Sequence, residues 1–154
     1  MSETNSSGGT ELIRSVLCSG VASILSDATE VALDSMMKDG TLRDIPVINV
    51  VAAAYGIYRS QRERAFAHKV LRFLRGASDI TDAQRKSFSA KMAADPTHAH
   101  EVGEQVLLLL DRHETAEKAT LLGRVFAAYV RQEISNEDFN RYAFIIDRLF
   151  LPDL

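Results

Sequence analysis

The sequence predicts an all-α protein, a compact bundle of about six helices with one long central helix. Apolar residues recur at three- and four-residue steps along most of the chain, and no stretch shows the two-residue alternation of a strand. Side chains that cap helices precede most of these stretches. With 154 residues, 46% of them hydrophobic and 25% charged, the chain is long enough for one domain with a sizeable core.

The N-terminal stretch is polar, and we assign residues 1–10 to a disordered leader and residues 11–154 to a single helical domain. An apolar stripe follows the capping residue Thr10 and reaches Met36. One helix either continues through Asp27, or a second helix starts there after a kink. Cys18, the single cysteine, lies in this stripe, so we predict a buried thiol. The absence of a disulfide partner and of a signal-peptide pattern favours a cytoplasmic protein.

The long central helix is predicted from Asp44 to Gly76, because Asp44 is a good cap and Pro46 is tolerated in a first turn. Its first part, residues 45–58, has Asn49 as the only strongly polar side chain. Fourteen residues fall short of the roughly twenty that span a bilayer. The small residues of this part allow close helix contact. We expect packing within the monomer, pairing between subunits, or membrane insertion after a conformational change.

The second part of this helix is basic. Residues 45–75 carry six basic residues and one acidic residue, in a chain whose net charge is −3. A helical wheel places Phe66, Val70 and Phe73 on one face and the basic residues, Arg72 among them, on the outward face. Such a face is either a solvated side of the bundle or a contact for an anionic partner. Nucleic acid is disfavoured as a partner because the chain is acidic and lacks a recognisable nucleic-acid-binding motif.

Four further helices are predicted towards the C-terminus. The first opens with the capping pair Thr81 and Gln84 and stops at Asp95 and Pro96. The next contains the leucine run 107–110 and is expected to be buried on several sides. The last two start at Thr115 and Ser135. The inward side chains predicted for the last helix are Phe139, Tyr142, Ala143, Ile146, Leu149 and Phe150.

The sequence contains no phosphate-binding glycine loop, nucleophile elbow, zinc-protease motif or paired CxxC. The best metal candidate is the segment His98 to Glu101. The pairs His98 with Glu101 and His100 with Glu104 have helical spacing for a ligand pair, but each supplies only half a site. We therefore predict solvated polar residues here, and neither a metal nor a cofactor.

Two carboxylates follow apolar residues and could be partly buried against an arginine. Asp111 follows the leucine run, and Asp147 lies between Ile146 and Arg148. The favoured interpretation is a structural ion pair, and the alternative is an acid whose pKa is tuned by burial.

Three segments carry a resemblance: DIPVINVVAAAYGIYRSQRERAFAHKVLRFL, VLLLLDRHETAEKATLLGRVFAAYVRQEIS and FNRYAFIIDRLFLPDL. They resemble small bacterial all-helical proteins of the Abi-alpha type of abortive-infection proteins, found near phage-defence genes. The resemblance covers about residues 40–154 and consists of apolar helix patterns. It implies a bacterial cytoplasmic protein with a role in phage defence or growth arrest, and it carries over no catalytic residue.

The sequence thus predicts a non-enzymatic helical interaction protein that self-associates or binds a protein partner through residues 46–75. A membrane-active effector, whose helix 45–75 contacts anionic lipid at the periphery of the inner membrane, is the first alternative. A small enzyme with a buried carboxylate is the least supported one. The residues predicted for pairing or insertion are Ile45, Val47, Val50, Val51, Tyr55 and Ile57. Those predicted for anionic contact are Arg59, Arg62, Arg64, Lys69, Arg72 and Arg75.

Overall fold

The computed structural model describes residues 3–26, 28–39, 61–113 and 115–149, and these residues form helices and no strand. The all-α prediction is confirmed. The described helices number eight rather than about six, because the N-terminal stretch is divided into three. They are α1 (Glu3–Val16), α2 (Ser19–Ser26), α3 (Glu30–Asp39), α4 (Gln61–Gly76), α5 (Asp82–Ala94), α6 (Pro96–Arg112), α7 (Ala116–Val130) and α8 (Asn136–Arg148).

The N-terminal part differs most from the prediction. Residues 3–10 belong to α1 rather than to a disordered leader. The backbone N–H of Gly9 donates to the Glu104 carboxylate at 2.8 Å, and a Cβ at Gly103 would stand 2.1 Å from the Gly9 oxygen. This close crossing anchors α1 on α6. The apolar stripe then breaks before α2, where Cys18 is exposed, so the prediction of a buried thiol is wrong.

The predicted caps of the C-terminal helices are confirmed. Thr81 and Gln84 make both bonds of a capping box at the start of α5. Pro96 is the first residue of α6, where its missing N–H costs nothing. The predicted starts Thr115 and Ser135 each accept a bond from the backbone N–H three residues later. Asp95, predicted only as the end of α5, caps α6 in the same way.

The centre of the fold is the contact between α4 and α7. A Cβ at Gly123 would stand 2.1 Å from the Phe73 oxygen, so the two backbones approach each other closely at this point. Phe126 lies beside this crossing and is fully buried. Aromatic rings from three other helices surround its ring, with centroids 5.4 to 6.3 Å away: Phe73, Phe88 and Phe139.

The α8 helix packs on α7 and runs parallel to α6. Gln105 of α6 donates to Asn140 of α8 at 2.7 Å. Seven residues further along both helices, Arg112 donates to Asp147 at 3.0 Å. Equal steps in the same direction on both helices mean that their axes run parallel. Of the predicted long helix from Asp44 to Gly76, only the α4 part lies within the described residues.

Candidate functional site

Most residues predicted as a site lie outside the part of the chain that the structure describes. This holds for all six residues predicted for pairing or insertion, Ile45, Val47, Val50, Val51, Tyr55 and Ile57, and for Arg59. Arg62 and Arg64 belong to α4, but their side chains are outside the described part. The structure therefore bears on three of the predicted anionic contacts.

Those three side chains all contact this chain itself. Arg72 is only 7% exposed, so the prediction that it points outward is wrong. Lys69 donates to the carbonyl oxygens of Asp111 and His113 at 3.3 and 3.0 Å. Arg75 donates to the Ala28 oxygen at 2.7 Å. Several helices besides α7 pack on α4, and for this reason these three polar side chains are buried or half-buried.

The largest group of exposed apolar side chains lies on α8 and the neighbouring surface of α6. Seven large apolar residues of the described part are exposed, and five of them belong to these two helices or to the residue that ends α8: Leu108, Tyr142, Phe144, Ile145 and Leu149. We call these five the α8 face. Tyr142 and Leu149 were predicted to point inward, and that prediction is wrong. On a helical wheel of α8, Tyr142, Ile145 and Leu149 lie within about 60° of one another, whereas Phe144 lies about 100° from Ile145, on the side of Leu108. Single exposed apolar residues are normal in proteins, so the grouping on these two helices is the signal and not the exposure itself.

Leu108 and Phe144 flank the groove between α6 and α8. The polar link from Gln105 to Asn140 lies on one side of them along the groove, and the ion pair from Arg112 to Asp147 lies on the other. Leu108 is 66% exposed and Phe144 56% exposed. The guanidinium of Arg148 lies 4.3 Å from the centre of the Phe144 ring. Two exposed polar contacts thus bridge the groove while its apolar edges face solvent.

The charges of α8 are segregated along its length. Glu137 and Asp138 lie in the first turn, and Arg141 is within 3.6 to 3.8 Å of both carboxylates. Arg148 lies in the last turn. Asp147 is also near that end, but its charge is balanced by Arg112. The α8 helix is therefore negative at its beginning and positive at its end.

A second surface feature is a cleft of about 660 Å³ between the α2–α3 connection, α4 and α7. Three arginines line it, Arg75, Arg124 and Arg131, and we call it the arginine cleft. Asp79 is the one carboxylate among its described lining residues. Small residues, among them Gly76 and Ala127, leave room for the guanidinium groups.

A third cleft, of about 420 Å³, lies between α5, α6 and the α7–α8 connection. His98 Nε2 is 3.2 Å from the Tyr129 hydroxyl at its wall. Burial raises the pKa of Tyr129, so its hydroxyl stays protonated near neutral pH. Gln132, which also lines this cleft, has a left-handed backbone conformation with a φ of 62°. The Asn136 amide oxygen is buried without a hydrogen-bond partner among the described residues. His98, one member of the candidate pair with Glu101 that was predicted to be solvated, is thus half-buried and contacts a tyrosine.

The two carboxylates predicted as ion-pair partners have different surroundings. Asp111 is exposed. Asp147 pairs with Arg112, as the favoured interpretation expects, and its other oxygen is 3.9 Å from Nε2 of His113. Burial lowers the pKa of His113 below 6.5, and the Asp147 charge opposes this effect. The His113 side chain is fully buried, whereas the Asp147 carboxylate is partly exposed.

The described residues contain no group of three or more His, Cys, Asp or Glu side chains arranged to hold a metal ion. No helix within those residues is long and apolar enough to cross a membrane. Comparisons of the chain with protein-family models, curated proteins and solved structures find no match.

Proposed function

We propose that this protein is a non-enzymatic helical interaction protein that self-associates through the α8 face. The observation that carries the proposal is the grouping of five exposed large apolar side chains on α8 and the adjoining surface of α6. Burial of such side chains between two subunits gains roughly 25 cal/mol for each Å² of apolar surface removed from water. The described part of α4 offers no comparable apolar surface, because its large apolar side chains are buried or half-buried.

A second copy of the chain is the occupant that the charges of α8 favour. In an antiparallel pair of α8 helices, Glu137 and Asp138 of one copy lie near Arg148 of the other. A parallel pair would place like charges together. Antiparallel pairing about a two-fold axis also uses the same face on both copies, which is the commonest symmetry of homodimers. Charges arranged in this way set the orientation of the two helices more than the affinity.

The chain's resemblance to abortive-infection proteins supports a setting for this activity. A helical protein that self-associates in the bacterial cytoplasm fits a role in phage defence or growth arrest. In such a role, the assembly controls whether an apolar surface is covered or is available to another protein.

Sedimentation velocity over a range of protein concentrations tests the proposal. The mass of the wild-type protein is expected to rise from 17.0 kDa towards twice that value. Ile145→Glu places a charge on the α8 face, one turn from both Tyr142 and Leu149, and should keep the mass at one chain. The matched control is Ile24→Glu, because Ile24 is equally exposed but lies on α2. A wild-type mass of one chain at every concentration would contradict the proposal.

A second pair of variants separates the α8 face from the surface predicted on residues 46–75. Ala53→Leu and Gly56→Leu change two small residues of that segment, which lies outside the described residues. If the α8 face is the interface, both variants associate as the wild type does. Loss of association in these two variants, with Ile145→Glu still dimeric, would assign the interface to residues 46–75 instead.

A further inference from the structure

The arginine cleft carries more positive charge than its described surroundings balance. Among the described residues, three guanidinium groups line it, against the lining carboxylate of Asp79 and the Glu133 carboxylate that pairs with Arg131. Asp79 is fully exposed and lies 3.9 Å from Arg131, which makes it a weak, solvent-screened partner. The chain as a whole has a net charge of −3, so the cleft is a local reversal of the overall charge.

Arg75 is the least balanced of the three. Its guanidinium is half-buried and donates to the neutral carbonyl oxygen of Ala28 at 2.7 Å. None of the ion pairs found among the described residues involves Arg75. Removing a charge from water without a counter-charge is costly, and a bound anion would offset that cost. The bond to Ala28 also fixes the direction in which the remaining N–H groups point.

Arg131 and Arg124 differ in how they are held. Arg131 donates to both oxygens of Glu133 at 2.9 and 3.2 Å and to the Asp79 backbone oxygen at 2.7 Å. Its position is therefore fixed, and much of its charge is balanced. Arg124 lies two turns earlier on α7, is exposed and is in none of the ion pairs among the described residues. The cleft thus has one guanidinium held by hydrogen bonds, that of Arg131, and one that is half-buried, that of Arg75. The guanidinium of Arg124 is exposed and can change its position.

The opposite wall of the cleft supplies a hydroxyl. Thr29 caps α3, and its oxygen accepts a bond from the Ala32 N–H at 3.2 Å, which leaves its hydroxyl proton able to donate. The beginning of α3 also lies here, where the helix dipole favours an anion. These groups add to the arginines and would not by themselves define a site.

We infer that the arginine cleft binds a small organic phosphate that carries at least two negative charges. Guanidinium groups match phosphate oxygens in geometry and charge. The volume is within the range of small-molecule pockets, which is about 300–1,000 Å³. No aromatic side chain is among the described lining residues, so the cleft recognises the phosphates rather than stacking on a base. This site is separate from the α8 face and does not depend on self-association.

Isothermal titration calorimetry of the full-length protein with inorganic pyrophosphate, orthophosphate and ADP tests the inference. Pyrophosphate is expected to bind more tightly than orthophosphate, and binding should weaken as salt is added. Equal affinities for pyrophosphate and ADP would mean that only the phosphates are recognised. Tighter binding of ADP would support the site and add a contact to the nucleoside. Failure of all three probes to bind would overturn the inference.

Two arginine variants locate the binding. Arg124→Gln removes an exposed cleft arginine and should weaken pyrophosphate about tenfold. Arg14→Gln is the matched control, because it removes the same charge from an exposed position on α1 and should leave the affinity unchanged. Equal weakening in both variants would mean a general charge effect and would overturn the site. Ile145→Glu should bind pyrophosphate as the wild type does, and this separates the cleft from the proposed interface.

Discussion

Gly123 of α7 lies against the backbone oxygen of Phe73 in α4, so closely that a Cβ at position 123 would stand 2.1 Å from that oxygen. On the same two helices, a Cβ at Gly76 would stand 2.3 Å from the Thr120 oxygen. The two glycines let the helices cross without intervening side chains. Arg75 and Arg124 are their direct neighbours in sequence, so this crossing also sets the spacing of two cleft arginines.

Gly123→Ala is expected to lower the free energy of unfolding by about 1–3 kcal/mol, because the new methyl group meets backbone rather than a side chain that can move. Urea denaturation followed by circular dichroism measures the change. Gly20→Ala is the matched control, since a Cβ there would lie 3.8 Å from the Cys18 sulfur, an ordinary contact. We expect Gly20→Ala to leave the stability unchanged or to raise it by up to about 1 kcal/mol. Equal destabilisation by both variants would contradict the close crossing.

Alanine substitutions at two phenylalanines should have different effects, one on the stability of the monomer and the other on dimerisation. Phe126 is fully buried among aromatic rings, and Phe126→Ala should cost about 3–5 kcal/mol of stability. Phe144 is exposed on the α8 face. Phe144→Ala should change the stability of the monomer by less than about 0.5 kcal/mol while it weakens dimerisation. Thermal melting in dilute solution and sedimentation at high concentration measure the two effects. A large loss of monomer stability in Phe144→Ala would place that ring in the core.

The buried His113 should make the protein less stable in acid. Its pKa in the folded state is below the 6.5 of the unfolded chain, because burial disfavours the imidazolium. Three nearby cations, Lys118, Lys69 and Arg112, lower it further, and Asp147 opposes them. Below pH 6.5 the unfolded state therefore binds more protons than the folded state. The contribution of neutral His113 to the free energy of unfolding is therefore full above pH 6.5. It is lost as the pH falls from 6.5 towards the folded-state pKa of His113.

The measurement is the urea midpoint of wild type and His113→Gln between about pH 7.5 and pH 5. The variant has no titrating group at this position, so its midpoint should fall less steeply on acidification than that of the wild type. His98→Gln serves as the control, because it makes the same substitution at a half-buried histidine at the edge of a cleft. Parallel pH profiles for wild type and His113→Gln would show that His113 does not contribute.

Cys18 should react quickly with a thiol reagent in the native protein. The residue lies in the connection between α1 and α2 and is exposed. Ellman's reagent is expected to modify one thiol per chain without denaturant, at a rate close to that in urea. Protection of the thiol until the protein unfolds would support the burial that the sequence pattern predicts.

The sequence predicted helix starts well where a few neighbouring residues determine them. The caps at Thr81 and Ser135 depend on bonds that span three residues, and a local pattern is sufficient to find them. The start of α1 depends instead on the contact between Gly9 and α6, which is distant in sequence. A local pattern contains no signal for that contact.

The outward position of Arg72 was wrongly predicted for a related reason. A helical wheel separates the polar and apolar sides of one helix, but it cannot show how many other helices surround that helix. Similarly, Tyr142 and Leu149 follow the helical period of the core residues and were assigned to the core. In the structure Ile146 of the same helix is buried while these two are exposed. The α8 face can therefore be recognised only once the neighbours of α8 are known.

The most direct test of the proposed self-association is chemical cross-linking at a single position. In a Cys18→Ser background, Ile145→Cys places one thiol on the α8 face, within reach of a cross-linker from the same thiol of the second copy in an antiparallel α8 pair. A short bismaleimide is expected to convert this variant to a covalent dimer of twice 17.0 kDa. Val31→Cys, on the exposed surface of α3, should remain monomeric under the same conditions. Equal cross-linking at the two positions, or none at position 145, would contradict the account.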